Sequence, residues 1–242
     1  MKKLLCLLLT LLMLLSLCAC GEGEEPKGDT ATTQTLPQIF DAEQYQIYQN
    51  LFFNGQKASF IGQQMTVTGV FVSIRDSFNA VTRYYCWGYY DQTKCCDWQW
   101  ELKLDDTANL PANGSKVTFT GTFAEDEKAL DGVWMTDVSL TVDEAYTGET
   151  CDYDLCLMNA TLERVQLMNM QYFPDEYEGK AVRLYGRVYD PATLQHPYYD
   201  GAWMQPFESA EPVSSIGVEV IVKGTFSGGT ITNATVKETT DY

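Results

Sequence analysis

Three strand-like segments occur twice along this chain in the same order, and that repeat limits the fold more than any other feature of the sequence. Gln64-Met65-Thr66-Val67-Thr68-Gly69-Val70-Phe71 is echoed by Lys180-Ala181-Val182-Arg183-Leu184-Tyr185-Gly186-Arg187-Val188-Tyr189. Val117-Thr118-Phe119-Thr120-Gly121-Thr122-Phe123 is echoed by Val220-Ile221-Val222-Lys223-Gly224-Thr225-Phe226. Each half then closes on a similar stretch, Met135-Thr136-Asp137-Val138-Ser139-Leu140 and Ile231-Thr232-Asn233-Ala234-Thr235-Val236. Ordered self-similarity of this kind marks a diverged tandem duplication. The segments alternate β-branched and aromatic residues with small or polar ones, the period-two pattern of a half-buried strand. A glycine interrupts each long strand (Gly69, Gly121, Gly186 and Gly224), as at a bulge or sharp bend of a coiled sheet.

Five strands per half with bent first and fourth strands predict a mainly β fold. The expectation is a tandem of two small OB-like β-barrel domains, each preceded by a short helix near residues 41–51 and 154–172. Residues 83–90 and 95–104 read as a hairpin around Asp91-Gln92-Thr93-Lys94, which sets Cys86 opposite Gln99. The second half shows no clear counterpart of this hairpin; residues 191–212 read as long loops with a short strand at 202–205. The domain boundaries expected are 41–146 and 147–242.

The first twenty residues set the expected address. Lys2 and Lys3 precede an apolar run over residues 4–17, the layout of a secretory signal and too short for a comfortable membrane span. The run ends in Leu17-Cys18-Ala19-Cys20-Gly21, which resembles the lipobox of bacterial lipoproteins. That resemblance implies a signal peptide over residues 1–19 and a diacylglycerol on Cys20, with a plain secretory signal as the alternative. Residues 20–40 then form a lipidated, polar tether, and the folded body stands on the extracytoplasmic face of the cell membrane. The chain carries a formal charge of −17, which repels phosphate backbones and argues against nucleic acid as a partner.

Five cysteines remain in the expected exported body: Cys86, Cys95, Cys96, Cys151 and Cys156. An odd number outside the cell leaves at least one thiol unpaired, metal-bound or paired between chains. Cys151 and Cys156 span a short local loop between the halves, where a disulfide is the first expectation and two thiols the alternative. On the hairpin, neighbouring strand residues point to opposite faces, so Cys95 and Cys96 do not both enter the core unless a bulge or a vicinal disulfide intervenes. The readings there are a buried cysteine acting as a small hydrophobe, or a thiolate site for zinc or another thiophilic metal built from Cys86, Cys95 and Cys96.

Tyr85-Cys86, then Asp91-x-Thr93-x-Cys95-Cys96, then Glu101-Leu102, resembles the D-x-T-x-C-C-x4-E-[FL] hairpin of extracytoplasmic OB-fold-like lipoproteins from gut Firmicutes. Tyr177-Glu178-Gly179-Lys180-Ala181-Val182-Arg183-Leu184 likewise resembles the strand entry Y-x-G-K-x-V-R of that family. Trp98-Gln99-Trp100 departs from its usual small residues, and the second half lacks the Cys-Cys hairpin. The resemblance implies a fold and an envelope location, with no established activity or catalytic residues.

No catalytic constellation stands out: there is no G-x-S-x-G, H-E-x-x-H, P-loop or C-x-x-C. The single histidine, His196, sits in a loop-like Gln195-His196-Pro197-Tyr198 and reads as a surface residue. Acidic clusters such as Asp105-Asp106 read as solvated loops and lack calcium-loop spacing. Aromatics are the better lead. Tyr85, Trp87, Tyr89, Trp98 and Trp100 crowd the hairpin, where they either pair within the sheet or line a surface for sugars or proteins. The sequence thus points to a non-enzymatic binding or assembly module in the envelope, with an envelope protein or glycan as partner and no cofactor. The alternative is a metal- or redox-handling lipoprotein.

Overall fold

The computed structural model describes residues 36–197, 201–211, 213 and 215–239. Cys20, the expected signal peptide, the expected tether up to residue 35, and Tyr198 and Tyr199 lie outside the described residues. Among the described residues, no helix is long and apolar enough to cross a membrane.

The fold is mainly β, with two five-stranded barrels in tandem, each preceded by a helix. The first half runs α1 (Ala42–Phe52), α2 (Lys57–Phe60), β1 (Gln64–Asp76), β2 (Val81–Tyr89), β3 (Asp97–Leu102), β4 (Lys116–Glu125) and β5 (Val133–Glu144). Its strands close in the order β1-β2-β3-β5-β4, with β4 returning to β1. The second half runs β6 (Tyr153–Asp154), a 3-10 turn (Leu155–Leu157), α3 (Ala160–Tyr172), α4 (Pro174–Tyr177), β7 (Ala181–Asp190), β8 (Thr193–Gln195), β9 (Met204–Ser209), β10 (Glu219–Ser227) and β11 (Thr230–Glu238). Its order, β7-β8-β9-β11-β10 closed by β10 on β7, repeats that of the first barrel, and β6 adds in parallel to β7. The short β8 and β9 form a hairpin where the sequence predicts long loops with one short strand at 202–205.

The repeat extends to backbone detail. Gly69 pairs with Val117 in the first barrel, and Gly186 pairs with Val220 in the second. Register shifts fall at Gly121 and Gly224, and residues Asp137 and Asn233 on the facing strands both take left-handed backbone, with φ of 52° and 51°. These four positions are equivalent bulges, and they let five short strands curl into a closed barrel. A tryptophan then fills the space left by each first-strand glycine. A Cβ on Gly69 would come within 3.2 Å of Trp98, and one on Gly186 within 3.0 Å of Trp203.

Side-chain alternation divides the first barrel into two cores. Val67, Phe71, Cys86, Trp98, Trp100, Val117 and Phe119 point inward. Tyr48 and Leu51 of α1 close that core, Tyr48 meeting Trp100 with ring centroids 5.6 Å apart. Asp41 starts α1 by accepting from the Glu43 and Gln44 amides at 3.0 Å, a standard N-cap. The opposite face of β1 and β2 (Val70, Val72, Ile74, Tyr85 and Trp87) packs against Leu155, Leu157, Leu162 and Met170, so one apolar cluster runs from the outside of the first barrel into the second.

The hairpin register differs from the expected one by a residue: Cys86 faces Trp100, and Trp87 faces Gln99. Asp91 accepts from the Thr93 amide and hydroxyl, the Lys94 amide bonds the Asp91 carbonyl, and Lys94 takes a φ of 56°. The connection is therefore a wider turn over residues 90–96 rather than a tight one, and Cys95 and Cys96 sit in it and not in a strand.

Gly69→Ala places a Cβ 2.4 Å from the Cys86 sulfur and 2.8 Å from the Trp87 carbonyl oxygen, so it should cost about 1–3 kcal/mol, read as a lowered urea midpoint.

Candidate functional site

The side chains that carry chemistry gather where α3 crosses the first barrel. Asn159, Glu163, Gln166 and Asn169 recur at helical spacing and are all buried, a polar stripe on a helix with no solvent on that side. Asn159 caps the helix by accepting from the Leu162 amide and donates to Gln99 of β3 at 3.0 Å. Gln99 in turn donates to the Tyr48 hydroxyl. Asn169, at the other end, accepts from the Ser77 amide in the β1–β2 turn at 2.9 Å. The helix is thus fastened to the first barrel at two points about 15 Å apart along its axis. The Trp87 indole N–H adds a bond to the Leu157 carbonyl, and the Ser77 hydroxyl meets that of Tyr177.

Between these fastenings lies a cavity of about 30 Å³ lined by Tyr89, Lys94, Asp97, Glu163, Tyr185 and His196 among others. His196 Nε2 stands 3.9 Å from Glu163 Oε2, and its ring meets Trp203 edge-on. Burial, reinforced by the Arg187 charge, pushes His196 down to about 4 and keeps the imidazole neutral. Burial holds Glu163 well above the usual carboxylate range. The Trp203 indole favours its charged form slightly but makes no well-formed hydrogen bond there. Asp97 is pushed up to about 6 by desolvation, opposed by the amides of Thr161 and Ala160 at the start of α3. The cavity has room for one or two water molecules. Its acids and imidazole can orient water there.

His196, expected on the surface, is 2% exposed, because the chain turns it inward after β8 against α3. Most of the hairpin aromatics turn inward as well. Trp98 and Trp100 fill the first barrel, Tyr85 and Trp87 are buried against the second half, and Tyr89 is half-buried at the cavity. Of the two readings, pairing within the sheet holds for these four buried rings: Trp98 and Trp100 turn into the first barrel, and Tyr85 and Trp87 join it to the second half.

The three hairpin cysteines do not converge on one point: Cys95 and Cys96 adjoin on the turn, and Cys86 lies apart in the barrel interior. Cys86 is buried in the first barrel, and burial pushes its thiol beyond ordinary titration. Cys95 is exposed and Cys96 half-buried on the turn. Among the described residues, no group of three or more His, Cys, Asp or Glu is arranged to hold a metal ion. Cys151 and Cys156 are not joined by a disulfide. Cys156 turns into the core with the 3-10 turn, close to Arg183, while Cys151 lines a cleft before β6. Burial pushes the Cys151 thiol up to about 11.

That cleft, of about 400 Å³, is bounded by Ser73, Arg75 and Asn113 of the first half and by Asp152 and Tyr153 of the connecting segment. Buried ion pairs stiffen the ends of both barrels. Arg83 bridges Asp76 and Glu101 at 2.7 and 2.6 Å, and Arg183 holds Asp154 at 2.8 Å. No protein-family model, no curated protein and no solved structure matches the chain.

Asn159→Ala removes both the helix cap and the bond to Gln99 and should lower unfolding free energy by about 1–2 kcal/mol in urea titration. Unfolded, Glu163 loses its proton near pH 4.5; folded, it keeps the proton to higher pH. Folding therefore takes up a proton above pH 4.5, and stability falls as pH rises from there. Glu163→Gln ends that loss, so its urea midpoint should exceed the parent's at about pH 7.5 and match it at about pH 4.

Proposed function

We propose that this chain is a lipoprotein anchored through Cys20 on the extracytoplasmic face of a bacterial cell membrane, where its paired barrels act as a non-enzymatic binding or assembly module of the envelope. One observation carries the reading. Phe78, from the β1–β2 turn, and Tyr172, from the end of α3, are 58% and 66% exposed, and their ring centroids lie 5.6 Å apart. Phe173 backs Phe78 edge-on at 4.7 Å. Two open rings tilted 59° to each other and braced from beneath, one from each half, offer a notched apolar surface against which a sugar face can pack. In an OB-like barrel the β1–β2 turn is one of the loops that reach a ligand. The formal charge of −17 disfavours anionic polymers, and an uncharged stretch of cell-wall glycan suits the platform best. The buried side chains of the α3 seam support the same reading, since Asp97, Asn159 and Asn169 are engaged in joining the barrels.

A second reading, a redox-handling lipoprotein, is favoured by the proximity of Cys95 and Cys96, whose sulfurs lie 3.5 Å apart. Cys86 drops out of it, being enclosed in the barrel interior.

Sedimentation of the full chain with purified cell-wall sacculi tests the first reading. Binding should fall about tenfold in the Phe78→Ala, Tyr172→Ala double variant. Release of soluble sugar by the protein, or equal binding by parent and variant, would overturn it.

A further inference from the structure

Cys95 and Cys96 are the only described cysteines that meet one another. Their sulfurs are 3.5 Å apart on the turn that joins β2 to β3. The Thr93 hydroxyl donates its proton to the Asp91 carboxylate at 2.6 Å, and its oxygen stands 3.2 Å from the Cys95 sulfur, so the turn holds its own shape. The Tyr45 hydroxyl of α1 lies against Cys96, and the Tyr90 amide bonds the Cys96 carbonyl at 2.8 Å. Cys95 is open to solvent and Cys96 sits partly beneath it. Approach from outside therefore reaches Cys95 first, with Cys96 as the neighbour able to finish the reaction.

We infer that Cys95 and Cys96 form a reversible redox site that closes to a vicinal disulfide by exchange with a low-molecular-weight disulfide. This inference rests on the redox reading above and is independent of the glycan platform. In the first step the Cys95 thiolate attacks the external disulfide, a mixed disulfide forms, and one external thiolate leaves. In the second, the Cys96 thiolate attacks the Cys95 sulfur, the Cys95–Cys96 bond forms, and the second external thiolate leaves. The two cysteine protons end on the two released thiols, and the external disulfide is reduced as the pair is oxidised.

Geometry decides that this site switches rather than staples. The sulfurs need only close from 3.5 Å to bonding distance, about 2.05 Å. The Cα atoms of neighbouring residues, however, are fixed about 3.8 Å apart, below the roughly 4.4–6.8 Å that a relaxed disulfide spans. The ring is strained and exposed, and such bonds are readily reduced again. The Tyr45 hydroxyl favours the Cys96 thiolate, but burial, Cys95 and the Asp91 charge outweigh it and hold that thiol above its ordinary value. Closure would be felt beyond the turn, because Lys94 and Asp97, on either side of the pair, both line the seam cavity.

The test equilibrates the full chain in glutathione buffers stepped from fully reduced to fully oxidised, blocks remaining thiols with N-ethylmaleimide, and reads each cysteine peptide by mass spectrometry. The peptide holding Cys95 and Cys96 should lose both blockable thiols together and weigh two hydrogens less than its reduced form. Returning the sample to reduced glutathione should restore both thiols. Cys96→Ser should instead accumulate glutathione on Cys95. A pair still fully blocked in the most oxidised buffer would overturn the inference, as would a parent protein that stops at the same Cys95 adduct as Cys96→Ser. Neither result would bear on sacculus binding by Phe78 and Tyr172.

Discussion

Everything in the arrangement of the two barrels depends on how α3 satisfies its buried polar stripe. α3 leaves Thr161, Arg164, Met168 and Gln171 exposed and buries the other face, and a buried helix face is usually apolar. Here Leu162, Leu167 and Met170 supply the apolar part, while Asn159 and Asn169 spend their hydrogen bonds on the first barrel. Apolar contact is tolerant of sliding, and a hydrogen bond is not. The two asparagines therefore set the position of the helix along the β1–β2 face, and the surrounding Val70, Val72, Ile74 and Trp87 supply burial at roughly 25 cal/mol per Å².

The same tolerance argument explains why the barrels kept their glycines through divergence. Trp98 lies within β3 and Trp203 just ahead of β9, yet each lies over the glycine of its own first strand. A large ring at the centre of a small barrel needs a strand without a side chain beneath it. Once that pair is in place, neither residue changes alone without a clash or a void.

Much of the fold was legible because it rests on local patterns. Period-two alternation, four interior glycines and repeated order pointed to two five-stranded barrels, while the strand order and the β8–β9 hairpin rest on pairings that no local pattern records. The turn at residues 90–96 was not legible to the residue, because its length depends on Lys94 adopting a left-handed backbone, which no hydrophobic pattern records. The seam was hidden for a deeper reason. Polar residues at positions 159, 163, 166 and 169 look, in one dimension, like the wet face of an amphipathic helix. Only a second barrel packed against that face makes it an interior. The aromatic hairpin left two readings open, pairing within the sheet or a ligand surface, and its rings are needed on one side for the barrel interior and on the other for the seam. His196 gave no sign of its burial, since a histidine beside a proline looks the same in a loop or in a core. The Phe78 and Tyr172 platform stayed out of view because its two halves are distant in sequence.

The first barrel closes unevenly. β4 meets β5 and β1 along most of their length, but β3 meets β5 through the single parallel pair Leu102–Met135, supported by the Lys103 amide on the Met135 carbonyl. A ring of strands opens where its ladder is shortest. Slow amide hydrogen exchange should thus cover β1 and β4 before it covers the β3–β5 join. Water entering there would meet Trp100 and Met135 first, so a local opening at this join would wet those two side chains ahead of the rest of the barrel interior.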